Sequence, residues 1–282
     1  MISKFDRIIF SAGTIEAAFA LLLALRLSFF ERKQIGVYLP TYSDRKVIWP
    51  IFIGVIYNLI QSFIIKKFDY LITISSYNKK LIAKFAEIPI LIHSNKVNPL
   101  PLKDDLKNED LRISNFRIIF IGRLHPLKRI DEIIKWCDFK LLANKELLII
   151  GEGPDENKLK KIALNCKFIK VKFLGWLDSK EQSIYIKKSD ILILNSQMEG
   201  EPLVLKEGLK RGMRCISRDI PAVREILPIN YLFKDRDDLY KIIENISNLT
   251  LSSYFKNIKE TKKDNDKESS LIFDFLEKSR IH

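Results

Sequence analysis

A chain of 282 residues is long enough for one or two domains, each with its own core. Its formal net charge of +13 raises nucleic acid as a partner. No helix-turn-helix pattern and no aromatic–basic module accompanies that charge, so nucleic-acid binding is excluded. Three cysteines in unrelated contexts, Cys137, Cys166 and Cys215, exclude a disulfide framework and fit a reducing compartment. The Asn-x-Ser/Thr tripeptides at Asn245 and Asn248 stand without any other secretory feature and read as accidental.

The first third of the chain is basic and apolar. Residues 1–100 carry 13 Lys/Arg against 6 Asp/Glu, so over half of the positive excess sits there. Ala17–Leu25 is too short to span a bilayer and runs into Arg26, which predicts a buried helix. Val47–Ile65 is uncharged and just long enough to span, but Pro50, Gly54, Asn58, Gln61 and Ser62 fit a core or interfacial helix better. No stretch at the start has the layout of a signal peptide. An anionic membrane surface is the partner this combination predicts, with a solvated lysine-rich surface as the plain alternative. Residues 98–110, with two prolines and then dense charge, read as a linker.

Beyond the linker the pattern becomes regular. Ile118–Ile121, Leu147–Ile150, Val171–Gly175 and Asp190–Leu194 are short apolar runs, each ending in a turn. Between them lie stretches of helical period, such as Ile130, Ile133 and Ile134, then Leu159, Ile162 and Ala163. This alternation predicts an α/β fold with a doubly wound parallel sheet, whose ligands collect at the carboxyl ends of the strands. The polar residues fall at those ends: Arg123 and Lys128 after the first run, and Glu199 after the last. A helix predicted to begin near Pro202 leaves Glu199 in the loop at its positive end and Glu207 more than a turn inside. One carboxylate can then meet a sugar and the other a ribose, with helix N–H groups between them for phosphate oxygens.

Several ordered motifs carry a resemblance. Gly122-Arg-Leu with Lys128, Gly151-x-Gly-Pro154, Phe173-Leu-Gly175, Ser196-x-x-Glu-Gly200, Glu207 and Arg224-Glu-Ile226 resemble the C-terminal half of GT-B glycosyltransferases, of the retaining family 4 type. The match covers roughly residues 113–245. A weaker likeness runs back through Asp69–Ser75 and Ile90–Asn95 to Asp6–Phe10, resembling part of the family's N-terminal domain. The resemblance implies two Rossmann-like domains: a shortened acceptor-side domain over residues 1–100, and a donor domain over 111–250. A charged segment and terminal helix over 251–282 would pack back on the first domain. It further implies transfer of a hexose or deoxyhexose from a UDP or dTDP sugar, with retention, to a lipid-linked surface polysaccharide acceptor such as lipopolysaccharide O-antigen. The protein would then work in the cytoplasm, peripherally on the inner face of the plasma membrane.

Roles follow from motif and chemistry together. Arg123, Lys128 and Glu199 are the expected catalytic residues: the two cations clamp the diphosphate and the carboxylate holds sugar hydroxyls. Gly122, Gly151, Gly153, Gly175, Ser196, Gly200, Pro202, Leu203 and Glu207 are the expected donor-binding set, although a Gly-x-Gly turn leaving a strand is more often structural. Neither Asp235-x-Asp237, which reads as a helix N-cap, nor Asp264-x-Asp266, in a charge-rich segment, suits a cation on the diphosphate, so no metal and no cofactor are expected. Departures from the family also stand out. Arg129 occupies a position where glycine is usual, Glu201 one where an apolar residue is common, and the family's opening glycine-rich strand-loop is not recognisable. These support an alternative: a non-catalytic subunit that binds nucleotide or a partner transferase.

Overall fold

The computed structural model describes residues 7–11, 34–39, 65–66, 68–84, 87–97, 116–187 and 190–261. The chain divides into two compact units, Met1–Asn95 with Asn265–His282, and Lys96–Asp264. The expected helix at 17–25, residues 47–64, the linker at 98–110, the Asp264-x-Asp266 motif and the chain beyond 261, where the terminal helix is expected to finish, lie outside the described residues.

The first unit contains a four-stranded parallel sheet in the order β1-β2-β3-β4, formed by Arg7–Ser11, Gln34–Leu39, Tyr70–Thr73 and Ile90–Ile92. Helix α1 (Ser76–Ile82) follows β3, and the Ser75 hydroxyl caps it by accepting from the Asn78 N–H at 3.2 Å. Tyr70, Leu71 and Ile72 are buried.

The second unit holds six parallel strands: β5 (Ile118–Ile121), β6 (Glu146–Ile150), β7 (Lys170–Gly175), β8 (Ile191–Leu194), β9 (Arg214–Arg218) and β10 (Leu232–Phe233). Their order is β10-β9-β8-β5-β6-β7. The three central strands β8, β5 and β6 are almost wholly apolar and buried, as a parallel sheet covered on both faces requires. Helices α2 (Ile130–Cys137), α3 (Glu156–Ala163), α4 (Ser179–Tyr185), α5 (Leu203–Lys210), α6 (Pro221–Arg224), α7 (Arg236–Asn248) and α8 (Leu251–Thr261) complete it. The helical period reads out as packing: Ile130, Ile133 and Ile134 of α2 are fully buried in the core, each contributing about 1.5–3 kcal/mol.

This strand order has a consequence for ligands. The chain runs outward from β5 to β6 and β7, then returns to the other side of β5 to lay down β8, β9 and β10. The neighbours β5 and β8 therefore send their following loops to opposite faces, which opens a crevice at their carboxyl ends. At the other end of the same two strands, Arg117 holds the buried Asp190 with a fork of bonds at 2.9 and 2.6 Å. That pair fixes the two strands side by side without entering the crevice.

One expected boundary is corrected. The sequence pattern ends the donor domain at residue 250, yet α8 is part of the second unit's core through Tyr254 and Ile258. The reason lies at β9. The two-residue β10 does not reach Cys215, and the buried Tyr254 hydroxyl takes its place, accepting from the Cys215 N–H and donating to the Cys215 carbonyl, both at 2.8 Å. Strands β9 and β10 themselves had no sequence expectation: Arg214 opens one, and two residues are too few for a period.

Candidate functional site

The crevice is built by two loops. The first leaves β5 at Gly122 and passes Arg123 before tightening into a 3-10 turn, Pro126–Lys128. The His125 side chain caps that turn by accepting from the Leu127 N–H at 3.3 Å, and Pro126 supplies a preset φ at its first position. The second loop leaves β8 at Asn195 and runs to Pro202, the N-cap of α5. The Gln197 N–H donates to the Leu127 carbonyl at 2.8 Å, which docks one loop on the other.

That docking brings together two of the expected catalytic residues. Lys128 Nζ lies 2.5 Å from Glu199 Oε1, with the side chains 27% and 15% exposed. They are separated by 71 positions in the chain. Arg123, the third, is exposed and makes no ion pair among the described residues, so its guanidinium can receive an anion. Ser196, in the same loop three positions before Glu199, is fully buried, and its hydroxyl has no hydrogen-bond partner among the described residues.

Glu207 sits on α5, half-buried, more than a turn beyond Pro202 as expected. Its competing partners on the same helix are engaged elsewhere: Lys210 donates to the Val97 carbonyl at 2.5 Å, and Arg211 to Gln182 Oε1 at 3.0 Å. Burial lowers the Arg211 pKa and the nearby Glu207 charge works against it. The Arg211 backbone N–H donates to the Glu207 carbonyl at 3.0 Å, while its guanidinium bonds to Gln182 rather than to the Glu207 carboxylate. The Glu207 carboxylate thus keeps its acceptors available. The helix start is less open than expected, because the Leu203 N–H is taken by the Glu201 carbonyl at 2.9 Å and the Leu205 N–H by Pro202 at 3.1 Å. Glu201 is ion-paired with Lys206, a salt bridge from the loop before Pro202 to the first turn of α5 that accounts for a carboxylate in an apolar position.

The glycines expected to bind the donor also have a packing role. A Cβ at Gly151 would lie 2.0 Å from the Gly122 carbonyl oxygen, and one at Gly153 would lie 2.3 Å from that of Leu124. The Gly151 N–H donates to the Gly175 carbonyl at 2.7 Å, and Gly175 itself has φ +69. These three glycines, with Gly122 at φ +154, allow the loops after β5, β6 and β7 to pack backbone against backbone. Their role here is close packing, the commoner reading of a Gly-x-Gly turn. Gly200 lies half-buried in the second loop between Glu199 and Glu201.

Around Arg129, already noted as a departure, the structure adds Glu132, Asn195 and Arg218, which sequence reasoning passed over. Arg129 is left-handed, φ 49 and ψ 45, at the start of α2. Glu132 pairs with both Arg129 and Arg218, the latter at 2.7 Å, while Asn195 donates to the Arg129 carbonyl at 3.0 Å and to Glu132 at 3.1 Å. The i,i+3 spacing of Arg129 and Glu132 was the one local signal. The Asp235-x-Asp237 motif behaves as an N-cap: the Asp235 side chain accepts from the Asp238 N–H at 2.9 Å. No group of three metal-ligating side chains exists among the described residues.

Comparison with known proteins bears on the family and the fold. Residues 103–262 match the family model "Glycosyl transferases group 1". The chain is 31% identical over 164 residues to an uncharacterized glycosyltransferase of Methanocaldococcus jannaschii, covering 55% of this chain and 41% of that protein. It is 30% identical over 146 residues to the UDP-Gal:alpha-D-GlcNAc-diphosphoundecaprenol alpha-1,3-galactosyltransferase of Escherichia coli, covering 49% and 37%. The chain thus spans about two fifths of the length of these relatives. Among solved structures, TarM superposes with a TM-score of 0.67 at 18% identity over 96% of this chain and 54% of TarM. The lipopolysaccharide outer core galactosyltransferase WaaB superposes at 0.63 and 20% over 92% and 72%. Such likeness establishes the fold, which is of the GT-B type. Since the matched segment covers more than half of the chain, the protein belongs to the glycosyl transferases group 1 family.

Proposed function

We propose that this chain moves a hexose or deoxyhexose from a nucleoside diphosphate sugar to a lipid-linked or saccharide acceptor of a surface polysaccharide. The observation that carries the reading is the Lys128–Glu199 pair in the crevice between β5 and β8. The Glu199 carboxylate offsets the Lys128 charge across the crevice. A diphosphate entering the crevice supplies the lysine with a stronger anion, joined by Arg123, and releases Glu199 toward the sugar hydroxyls. Glu207 accepts from the ribose hydroxyls. The acceptor oxygen attacks the anomeric carbon from the face the diphosphate leaves. As the bond to the phosphate oxygen breaks, that oxygen takes the acceptor's proton, and configuration is retained. Lys128 and Arg123 neutralise the leaving diphosphate, so the reading needs no metal and no cofactor.

The relatives' names support the substrate class. One names UDP-Gal and a diphosphoundecaprenol acceptor, and another, from Escherichia coli K12, is called lipopolysaccharide 1,6-galactosyltransferase. UDP and dTDP sugars are both candidate donors, since the proposed contacts are to diphosphate, ribose and sugar hydroxyls rather than to the base. The positive excess of residues 1–100 supports a peripheral site of action at the anionic inner face of the plasma membrane. Among the described residues no helix is long and apolar enough to cross a membrane.

The test is calorimetry of the full chain with UDP and dTDP in the presence of EDTA, followed by transfer assays with the matching sugars. Binding without metal is expected, and binding that requires Mg2+ or Mn2+ refutes the site as drawn. Glu207→Gln should weaken the bare nucleotide by roughly 1–3 kcal/mol. Glu199→Gln should leave nucleotide affinity intact or slightly raised, since it relieves Lys128 of its resident partner, and should depress transfer. Equal loss of nucleotide affinity in both variants would contradict this division of labour. Binding with no transfer to any acceptor would instead support the nucleotide-binding subunit.

A further inference from the structure

The residue that follows Lys128 is in a conformation that L side chains rarely adopt. Arg129 has φ 49 and ψ 45, and it ends the 3-10 turn while starting α2. Whatever holds Arg129 there also holds the direction in which Lys128 leaves the turn. The holding groups are all in view. Glu132, one turn along α2, pairs with the Arg129 guanidinium through Oε1 and with Arg218 Nη2 at 2.7 Å through Oε2. Asn195, fully buried at the end of β8, donates to the Arg129 carbonyl at 3.0 Å and accepts from Arg218 Nε at 2.8 Å. Arg218, at the end of β9, has its third nitrogen on the Lys234 carbonyl at 3.2 Å and its plane over Trp136 at 5.4 Å.

We propose that Glu132, Asn195 and Arg218 are positioning residues for Lys128, fastening a left-handed arginine so that the lysine meets Glu199 in the crevice. Three strand ends are joined by this network. The Arg129 turn follows β5, Asn195 opens the loop that carries Glu199, and Arg218 terminates β9. Two guanidinium groups share a single carboxylate, so Glu132 is the charge that allows them to lie together. Burial pushes the Arg218 pKa down and the Arg129 cation adds to that effect, with Glu132 opposing both. A purely structural network would brace the sheet wherever it lay. A positioning network has a different signature: its importance should vanish once residue 129 is able to adopt a left-handed turn unaided, as glycine can.

The experiment compares the full-length protein with Glu132→Gln, Arg129→Gly and the double variant. Hydrogen exchange is read over residues 123–129 and 195–201, with 236–248 as an internal control. UDP affinity by calorimetry is the second readout, and it alone rests on the proposed donor reading. In Glu132→Gln both crevice segments should exchange at least about fivefold faster while the control stays within about twofold. UDP affinity should fall about tenfold, as expected when a lysine's charge-assisted bond is misdirected. Adding Arg129→Gly should restore both readouts. Unchanged exchange in Glu132→Gln overturns the proposal, as does a double variant no better than the single one. If Glu132→Gln does not fold, Arg218→Lys takes its place with the same outcomes, since it keeps the charge and loses the fork. Should the exchange pattern hold while wild-type protein ignores UDP, the donor reading fails and the positioning role stands.

Discussion

On the β6–β7 flank of the second sheet the loops pack closely at glycines, whereas in the crevice between β5 and β8 one backbone bond, Gln197 to Leu127, is joined by charged side chains. The flank depends on Gly151 and Gly153, each within van der Waals reach of a carbonyl, and on Asp138, whose carboxylate accepts from the Lys167, Phe168 and Ile169 N–H groups at 2.7–3.2 Å. The crevice depends on Lys128 with Glu199 and on Arg129, Glu132 and Arg218. Similar sequence signals, a strand followed by glycine and polar residues, thus end in two kinds of loop. At Gly151 and Gly153 there is no room for a side chain, whereas the crevice is lined by charged side chains, which is where a ligand can exchange one partner for another.

The largest effect that would break this contrast is at Gly151. Gly151→Ala places a Cβ 2.0 Å from a backbone oxygen at φ +132. It should cost about 3 kcal/mol or more of stability in urea unfolding, because neither backbone can yield cheaply. A loss below about 1 kcal/mol would mean that the flank is not packed as described.

Asp138→Asn comes next, at about 2 kcal/mol at neutral pH, since three N–H donors lose a charged acceptor. Burial alone would raise the Asp138 carboxyl, but those donors outweigh it and hold its pKa below the usual range. Its contribution is therefore complete above the unfolded carboxyl's value of about 4 and fades as pH falls through the lower folded value. Asp219, held down first by its hydrogen bonds from Arg224, follows the same sign. Unfolding free energy measured from pH 7 to pH 2 should drop steeply below about pH 4 in the wild type and less steeply in Asp138→Asn. Parallel curves would remove Asp138 from the account.

The smallest stability effect belongs to the crevice. Lys128→Met should change unfolding free energy by less than about 1 kcal/mol, since the pair is partly exposed. The same variant should lose more than about tenfold in UDP affinity. If it destabilises the fold as much as Gly151→Ala does, the pair is a structural tie and the contrast between the two regions collapses.

Much of this protein was legible in its sequence because the relevant physics is local. Apolar runs of four or five residues ending in turns specified β5 to β8, and the 3.6 period of Ile130, Ile133 and Ile134 specified α2. The Asp235 N-cap and the distance of Glu207 from Pro202 along one helix were likewise set by neighbours in the chain. Strand β9 escaped because its fully buried Arg214 breaks the apolar pattern, and α8 because its anchor, the Tyr254 hydroxyl, acts on Cys215, 39 positions away. Tertiary structure alone decided which polar residues meet. Lys128 finds Glu199 across 71 positions, and Glu132 finds Arg218 across 86, because the chain crosses back over β5 to lay down β8 and β9 beside it. Composition and spacing carry the type of each element, since dihedral preference and burial act over a few residues. The partner of each charge depends on strand order, which only the assembled sheet determines.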